Sequence, residues 1–188
     1  MSESAEASPR VYLAGPEIYH PRAAEIAANK ISVCERYGLA GVSALDIEGG
    51  RPHSGNADDA LGHYRATLEL IAGCDALIAN MTPFRGPGLD AATALEMGVM
   101  AGYGRPIVGY SMEAQSYKDR LANLFQEIEE ELVKKGSELT TRDGQSVEDF
   151  GLTDTAMTAG AALSARNRAV SPRLVTKGVP RLNLANAS

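Results

Sequence analysis

The sequence predicts an α/β fold: a doubly wound parallel sheet with helices on both faces, followed by a C-terminal helix and an extended arm. Three observations carry that prediction. Short β-prone runs alternate with segments of helical period from Arg10 to Lys135. The run DALIANM (75–81) is nearly continuous in apolar residues, as a parallel strand covered on both faces requires. Glycine, proline and polar residues gather in the segments that follow the strands, at the carboxyl ends where open parallel sheets bind ligands.

In chain order, Arg10 to Ala14 (RVYLA) reads as the first strand and stops at Gly15-Pro16, because proline has no N–H to continue a ladder. Pro21 to Tyr37 reads as a helix, with Ala24, Ile26, Ala27, Ile31, Val33 and Cys34 at helical spacing, and Gly38 ends it. AGVSAL (40–45) is the second strand and EGGRPHSGNAD (48–58) a loop; Ala57 to Gly73 is the second helix, leading into DALIANM. PFRGPG is a loop, and the helix after it starts at Leu89 or Asp90. RPIVGYS (105–111) is the fourth strand, and Tyr117 to Lys135 reads as a charged amphipathic helix. Beyond 136 the chain is polar and turn-rich, with a tight turn expected at Arg142-Asp143-Gly144. Thr153 to Arg168 is Ala-rich enough for a last helix, with Asp154 near its start. The expected organisation is a frayed, disordered segment at 1–9, one domain at 10–169 and an arm at 170–188. Pro172, Pro180 and few apolar residues leave that arm either disordered or laid across a neighbouring subunit.

Composition narrows the function classes. With 44% hydrophobic and 22% charged residues in 188, the chain can build a core without staples. A net charge of -6 and a pI near 5.1 argue against nucleic acid or an anionic membrane as partner. Cys34 and Cys74 form no CxxC or Cys/His cluster, so they make neither a zinc site nor a disulfide framework, and both are expected to be buried free thiols. The N-terminus MSESAEASP has neither the basic nor the apolar region of a targeting signal, and no apolar run is long enough to span a bilayer. A cytoplasmic location follows as an expectation.

One residue is out of keeping with its surroundings. From Leu89 to Val99 the charged residues are Asp90 at the start and Glu96 in the middle, among Ala, Leu, Met, Gly and Val. A helix apolar around most of its circumference is packed on most sides, where an unpaired ionised carboxylate costs several kcal/mol. Glu96 is then an edge residue paired with a cation, a buried anchor held by backbone donors, or a catalytic carboxylate at the floor of a ligand cleft.

VYLAGP (11–16), CDALIANMTPFRGPGLDAATALEMG (74–98) and SVEDFGL (146–152) together resemble the nucleoside 2-deoxyribosyltransferase family, in its branch with a PFRG loop, and more distantly the 2'-deoxynucleoside 5'-phosphate N-hydrolases. The similarity spans Arg10 to Arg168, and its specific element is an Asp six residues before Glu-Met-Gly. It implies a flavodoxin-like fold and cleavage of the N-glycosidic bond of a 2'-deoxynucleoside, with transfer of the sugar to another nucleobase and no metal or organic cofactor needed. By that resemblance Glu96 is the nucleophile on C1', Asp90 holds the sugar 5'-hydroxyl and Tyr12 orients the nucleophile. The chemistry is that of a retaining glycosidase, in which a carboxylate stabilises oxocarbenium character and traps it covalently. Gly15, Pro16, Asp46, Thr67, Phe84, Arg85, Gly86 and Thr155 are candidate substrate contacts. A homo-oligomer is implied as well, because family sites borrow a C-terminal residue from a neighbour.

The sequence departs from the family pattern at two positions. Thr67 stands where a carboxylate or its amide is common near the leaving base, and Asp154-Thr155-Ala156-Met157 stands where Asp-Asn-Leu-Met is common. Threonine cannot act as a general acid at neutral pH. Two alternatives therefore stay open: an N-glycoside hydrolase acting on a nucleoside or its 5'-monophosphate, with Gly15, Arg85 and loop amides as an anion nest, and a non-catalytic nucleotide-binding module. His20, His53 and His63 are isolated and expected on the surface or in loops, with His53 a candidate for the pocket rim.

Overall fold

The computed structural model describes residues 7–47, 54–128, 132–136 and 138–164. The expectations for 1–6, for His53 and for the 170–188 arm lie outside the described residues. Four parallel strands form the main sheet, β1 (Arg10–Ala14), β2 (Ala40–Ser43), β3 (Ala76–Asn80) and β4 (Ile107–Tyr110), in the order β2-β1-β3-β4. The chain moves outward from β1 to β2 and then crosses back to β3, so the switch point lies between β1 and β3, whose partners include Tyr12↔Leu77 and Ala14↔Ala79.

Alternation along the strands sorts the helices onto faces. The face carrying Tyr12, Ala14, Leu77, Ala79 and Ile107 is buried, and α3 (Ala91–Gly102) covers it through Met97 and Met100. The opposite face, carrying Leu13, packs against α1 (Ala23–Arg36). There Gly41 permits close approach, since a Cβ on it would stand 3.1 Å from Ile31 Cα and 3.3 Å from Leu13 Cδ1. The second helix, α2 (Ala57–Ala72), opens on an Asn56/Asp59 capping box and packs beside α3. The last helix, α5 (Ala156–Leu163), lies against α3 and β4, with Ala159 buried. Both cysteines are free and buried, and burial is the main cause that raises each thiol's pKa. No helix among the described residues is long and apolar enough to cross a membrane.

The structure corrects the sequence expectations at element ends. AGVSAL is not strand throughout: after Ser43 the chain turns into a 3-10 turn at Ala44–Asp46, closed by a Ser43/Asp46 capping box. The helix expected from Tyr117 to Lys135 ends at Glu127 (α4, Tyr117–Glu127). Val133–Lys135 instead forms β5, antiparallel to β6 (Glu138–Thr140), with Gly136 between them at φ 63°. Helix α5 begins later than Thr153, because Thr155 stands at its N-cap. The expected turn near Arg142-Asp143-Gly144 is present, with Gly144 N–H donating to Thr141 O at 3.0 Å.

Candidate active site

The site assembles at the carboxyl ends of β1 and β3. Tyr12, fully buried on β1, donates its hydroxyl to Glu96 Oε1 at 2.8 Å. Glu96 itself is 8% exposed on α3, so its carboxylate lies between helix and sheet with only a sliver open. Of the alternatives the sequence leaves for Glu96, the edge position is corrected: the residue is buried, and a tyrosine hydroxyl bonds it. A buried side-chain hydrogen bond contributes on the order of 1 kcal/mol, and this one restricts the orientations open to the Glu96 carboxyl group.

Asp90 is the N-cap of α3. Its Oδ2 accepts from Thr93 N at 2.9 Å and from Thr93 Oγ1 at 3.0 Å, while Oδ1 has no partner among the described residues. Two turns of helix thus carry a carboxylate at the entrance and another six residues further in.

The loops around these acids are tied to each other. Gly15 is required where it stands, because a Cβ there would overlap Glu17 Oε2 and lie 2.9 Å from Asn80 Cβ. Pro16 opens the 3-10 turn Pro16–Tyr19. Glu17 Oε1 accepts from Lys30 Nζ at 2.5 Å, Asn80 Nδ2 at 2.6 Å and Tyr110 OH at 3.2 Å. Asn80 in turn accepts Thr82 N and Oγ1 at its own Oδ1, at 3.0 and 2.6 Å. The loops after β1 and β3 are therefore linked through one carboxylate. Above them Tyr19 stacks on Phe84 with centroids 5.3 Å apart, and the Arg85 guanidinium lies 4.9 and 4.6 Å from the two rings. Arg85 holds a φ of 56°, which only local constraint keeps for a residue with a side chain. Gly86 beside it is exposed.

Glu17 predicts an acid-sensitive component of stability. Burial by itself raises its pKa, but the Lys30 ammonium and the hydrogen bonds outweigh that and hold the carboxyl below its ordinary 4.5. A carboxylate depressed in the folded state stabilises the fold above its unfolded pKa and loses that contribution as pH falls through the folded value. Wild-type stability is therefore expected to decline below about pH 4.5. In Glu17→Gln, chemical denaturation from pH 6 to 3 should show a shallower acid limb; an identical limb would remove Glu17 from the account.

The remaining candidates are spread more widely. Thr67 on α2 is buried, with Oγ1 3.4 Å from His63 Nε2, so His63 is half-buried on a helix rather than in the surface or loop position expected. His20 is exposed, its Nδ1 accepting from Arg22 N. Asp46 is exposed, and Oδ2 accepts Ser43 N at 2.8 Å within its capping box. Thr155 lies at the start of α5, its Oγ1 3.0 Å from Thr158 Oγ1. Sequence reasoning did not single out Glu17, Asn80, Tyr19 or Arg120, and it named Asp154 only by its place at the start of the last helix; all but Arg120 lie in or beside the segments at the strand ends or the SVEDFGL run. No group of three His, Cys, Asp or Glu among the described residues can hold a metal ion.

A buried Tyr–Glu pair under the switch point, with a capping Asp six residues ahead of the Glu, invites comparison with known proteins. The family model for nucleoside 2-deoxyribosyltransferases matches residues 11–157. The chain belongs to the nucleoside 2-deoxyribosyltransferase family. Membership supports a glycosyltransferase or N-glycosidase. Among curated proteins, this family member is 29% identical over 160 residues to an uncharacterised protein of Schizosaccharomyces pombe, covering 81% of this chain and 76% of the other. Among solved structures it is similar to the 2-desoxiribosyltransferase of Leishmania mexicana, at TM-score 0.55 and 24% identity over 80% of this chain and 85% of that one. A conserved protein of Enterococcus faecalis V583 is similar at TM-score 0.50 and 20% identity, over 84% and 87% of the two chains. At such identities the structural likenesses establish the fold.

Proposed function

We propose that the chain is a nucleoside 2-deoxyribosyltransferase that cleaves the N-glycosidic bond of 2'-deoxynucleosides through a covalent deoxyribosyl ester on Glu96. The observation that carries this is the buried 2.8 Å bond from Tyr12 to Glu96, at the ligand-binding end of the sheet and within a chain of this family. Tyr12 leaves one Glu96 oxygen committed to the bond and aims the carboxylate. As the C1'–N bond breaks, the base departs with the electron pair and takes a proton from solvent, and Glu96 forms the C1'–O bond. A nitrogen of a second base then attacks C1' and gives up its proton to solvent, the ester C1'–O bond breaks, and the Glu96 carboxylate is regenerated with two inversions and net retention. Asp90 accepts the sugar 5'-hydroxyl at Oδ1 while Oδ2 continues to cap α3.

The second reading is a hydrolase, with water in place of the second base, and the observation favouring it is Thr67. Its hydroxyl stands near a histidine rather than presenting an acid, so nothing at that position favours one acceptor base over water. One assay separates the readings. The protein is incubated with deoxyinosine or thymidine, with and without adenine, and bases and nucleosides are followed by chromatography. New deoxyadenosine is expected for the transferase. Free base without exchange assigns the hydrolase, and binding without either product assigns a non-catalytic module.

A homo-oligomer belongs to the same proposal. Leu61 and Tyr64 on α2, Leu95 on α3 and Met157 on α5 are exposed in the single chain, and Met157 is 84% exposed. Exposed large apolar residues on adjoining helices suit burial against a second copy. Light scattering coupled to gel filtration is expected to give at least a dimer; a monomer at micromolar concentration would count against a site completed by a neighbour.

A further inference from the structure

The loop that delivers Asp90 is clamped from behind by a buried ion pair. Arg120 on α4 is 8% exposed and gives Nε to Pro87 O at 2.8 Å, Nη1 to Gln115 O at 2.5 Å and Nη2 to Thr153 O at 2.5 Å. Asp154, 3% exposed, lies 3.9 Å from Nη2. Its Oδ2 accepts Leu89 N at 2.9 Å, and its Oδ1 accepts Thr155 N at 2.9 Å and Thr158 Oγ1 at 2.8 Å. The pair thus grips three backbone segments: the loop before α3, the turn into α4 and the turn into α5.

A buried ion pair is often no more stabilising than well-packed apolar residues of the same volume, so stability alone does not account for its placement. What it does specify is backbone position. Pro87 O and Leu89 N are held from the two ends of the pair, and Leu89 is the residue immediately before Asp90. Between Phe84 and Asp90 the loop contains Gly86 and Gly88 and an arginine at φ 56°. Such a segment has other conformations within reach when nothing pins its carbonyl and amide.

We propose that Arg120 and Asp154 are positioning residues for Asp90, fixing the start of α3 so that Oδ1 stands where a sugar hydroxyl can donate to it. The proposal rests on the role given above to Asp90. It requires that loss of the clamp be felt selectively by substrates that carry the 5'-hydroxyl. A misplacement of about 1 Å at a positioned group can cost on the order of 10²-fold in rate.

The test compares kcat/KM for a 2'-deoxynucleoside with that for its 2',5'-dideoxy analogue, in the wild type and in Arg120→Lys, Asp154→Asn and Asp90→Ala. Wild type is expected to prefer the 5'-hydroxyl substrate. Arg120→Lys keeps the charge but cannot span three carbonyls, and Asp154→Asn loses an acceptor; each should lower that preference roughly tenfold or more while turnover of the dideoxy analogue stays near wild type. An unchanged preference, or an equal fall on both substrates, would overturn the proposal. Asp90→Ala separates the two levels. If it collapses the preference and the clamp variants do not, the positioning role alone fails; if it leaves the preference intact, the role of Asp90 fails and the positioning role with it. Should Arg120→Lys not fold, Thr158→Ala removes a single donor from Asp154, and a smaller drop in the same ratio is expected; no drop there overturns the clamp.

Discussion

Glu96→Gln is expected to fold normally and to cleave 2'-deoxynucleosides at least 10³-fold more slowly than wild type, on the order seen when a covalent nucleophile is removed. The amide is the closest isostere available. Its carbonyl oxygen can still accept the 2.8 Å bond from Tyr12, so the hydroxyl is not left unpaired and the cost to stability should stay within about 1 kcal/mol. What is lost is the anion: an amide neither stabilises a developing oxocarbenium centre nor forms a competent ester with C1'. Glu96→Ala should abolish turnover too, but it is a coarser probe, because truncation leaves a void and a fully buried tyrosine hydroxyl without this acceptor, at about 1–3 kcal/mol. Initial rates with deoxyinosine, paired with thermal unfolding of both variants, provide the check. A Gln variant within tenfold of wild type would remove the nucleophile from the mechanism, whatever the fold resembles. Tyr12→Phe should fall between, because it removes a bond that orients the carboxylate and leaves the carboxylate itself in place.

Those residues differ in how far the sequence alone exposed them. Glu96 was legible because burial and charge conflict within a short window: one carboxylate inside Ala91–Ala101 has to be explained by whatever surrounds it. The parallel sheet was legible for a similar reason, since DALIANM can satisfy its apolar side chains only when both faces are covered. The partner of Glu96 was not legible from spacing. Tyr12 is 84 residues away, and only the family resemblance pointed to it. Glu17 was still less visible, as its three donors come from α1, β3 and β4, and no window of sequence contains them together. The same holds for Arg120 and Asp154, which look like an ordinary surface arginine on an amphipathic helix and an ordinary helix-start aspartate until the loop at Pro87–Leu89 is folded between them. The overlong reading of α4 has a local cause. Val133–Lys135 continues a charged pattern compatible with helix, and only the turn at Gly136 and pairing with Glu138–Thr140 convert it to a strand.

Asp90 offers the sharpest separation of structure from chemistry, because its two oxygens are assigned different tasks. Oδ2 caps α3 through Thr93 N and Oγ1, and in the proposed mechanism Oδ1 takes the sugar hydroxyl. Serine is as good an N-cap as aspartate but has a single oxygen and no charge. Asp90→Ser should therefore unfold within about 0.5 kcal/mol of wild type, whereas Asp90→Ala should lose about 1–2 kcal/mol from the missing cap. The alanine change also strands the hydroxyl of Thr93, which is 1% exposed. Activity should not follow that order. If Asp90 holds the sugar as proposed, both variants remove a charge-assisted bond worth about 1.5–3 kcal/mol, so both should lose roughly 10- to 100-fold in kcat/KM on a 2'-deoxynucleoside. Denaturant titrations and steady-state kinetics on the same preparations give the two scales side by side. If activity tracks stability, with serine near wild type in both, Asp90 is a helix cap and nothing more; if serine keeps the fold and loses the rate, the second oxygen is at work on the substrate.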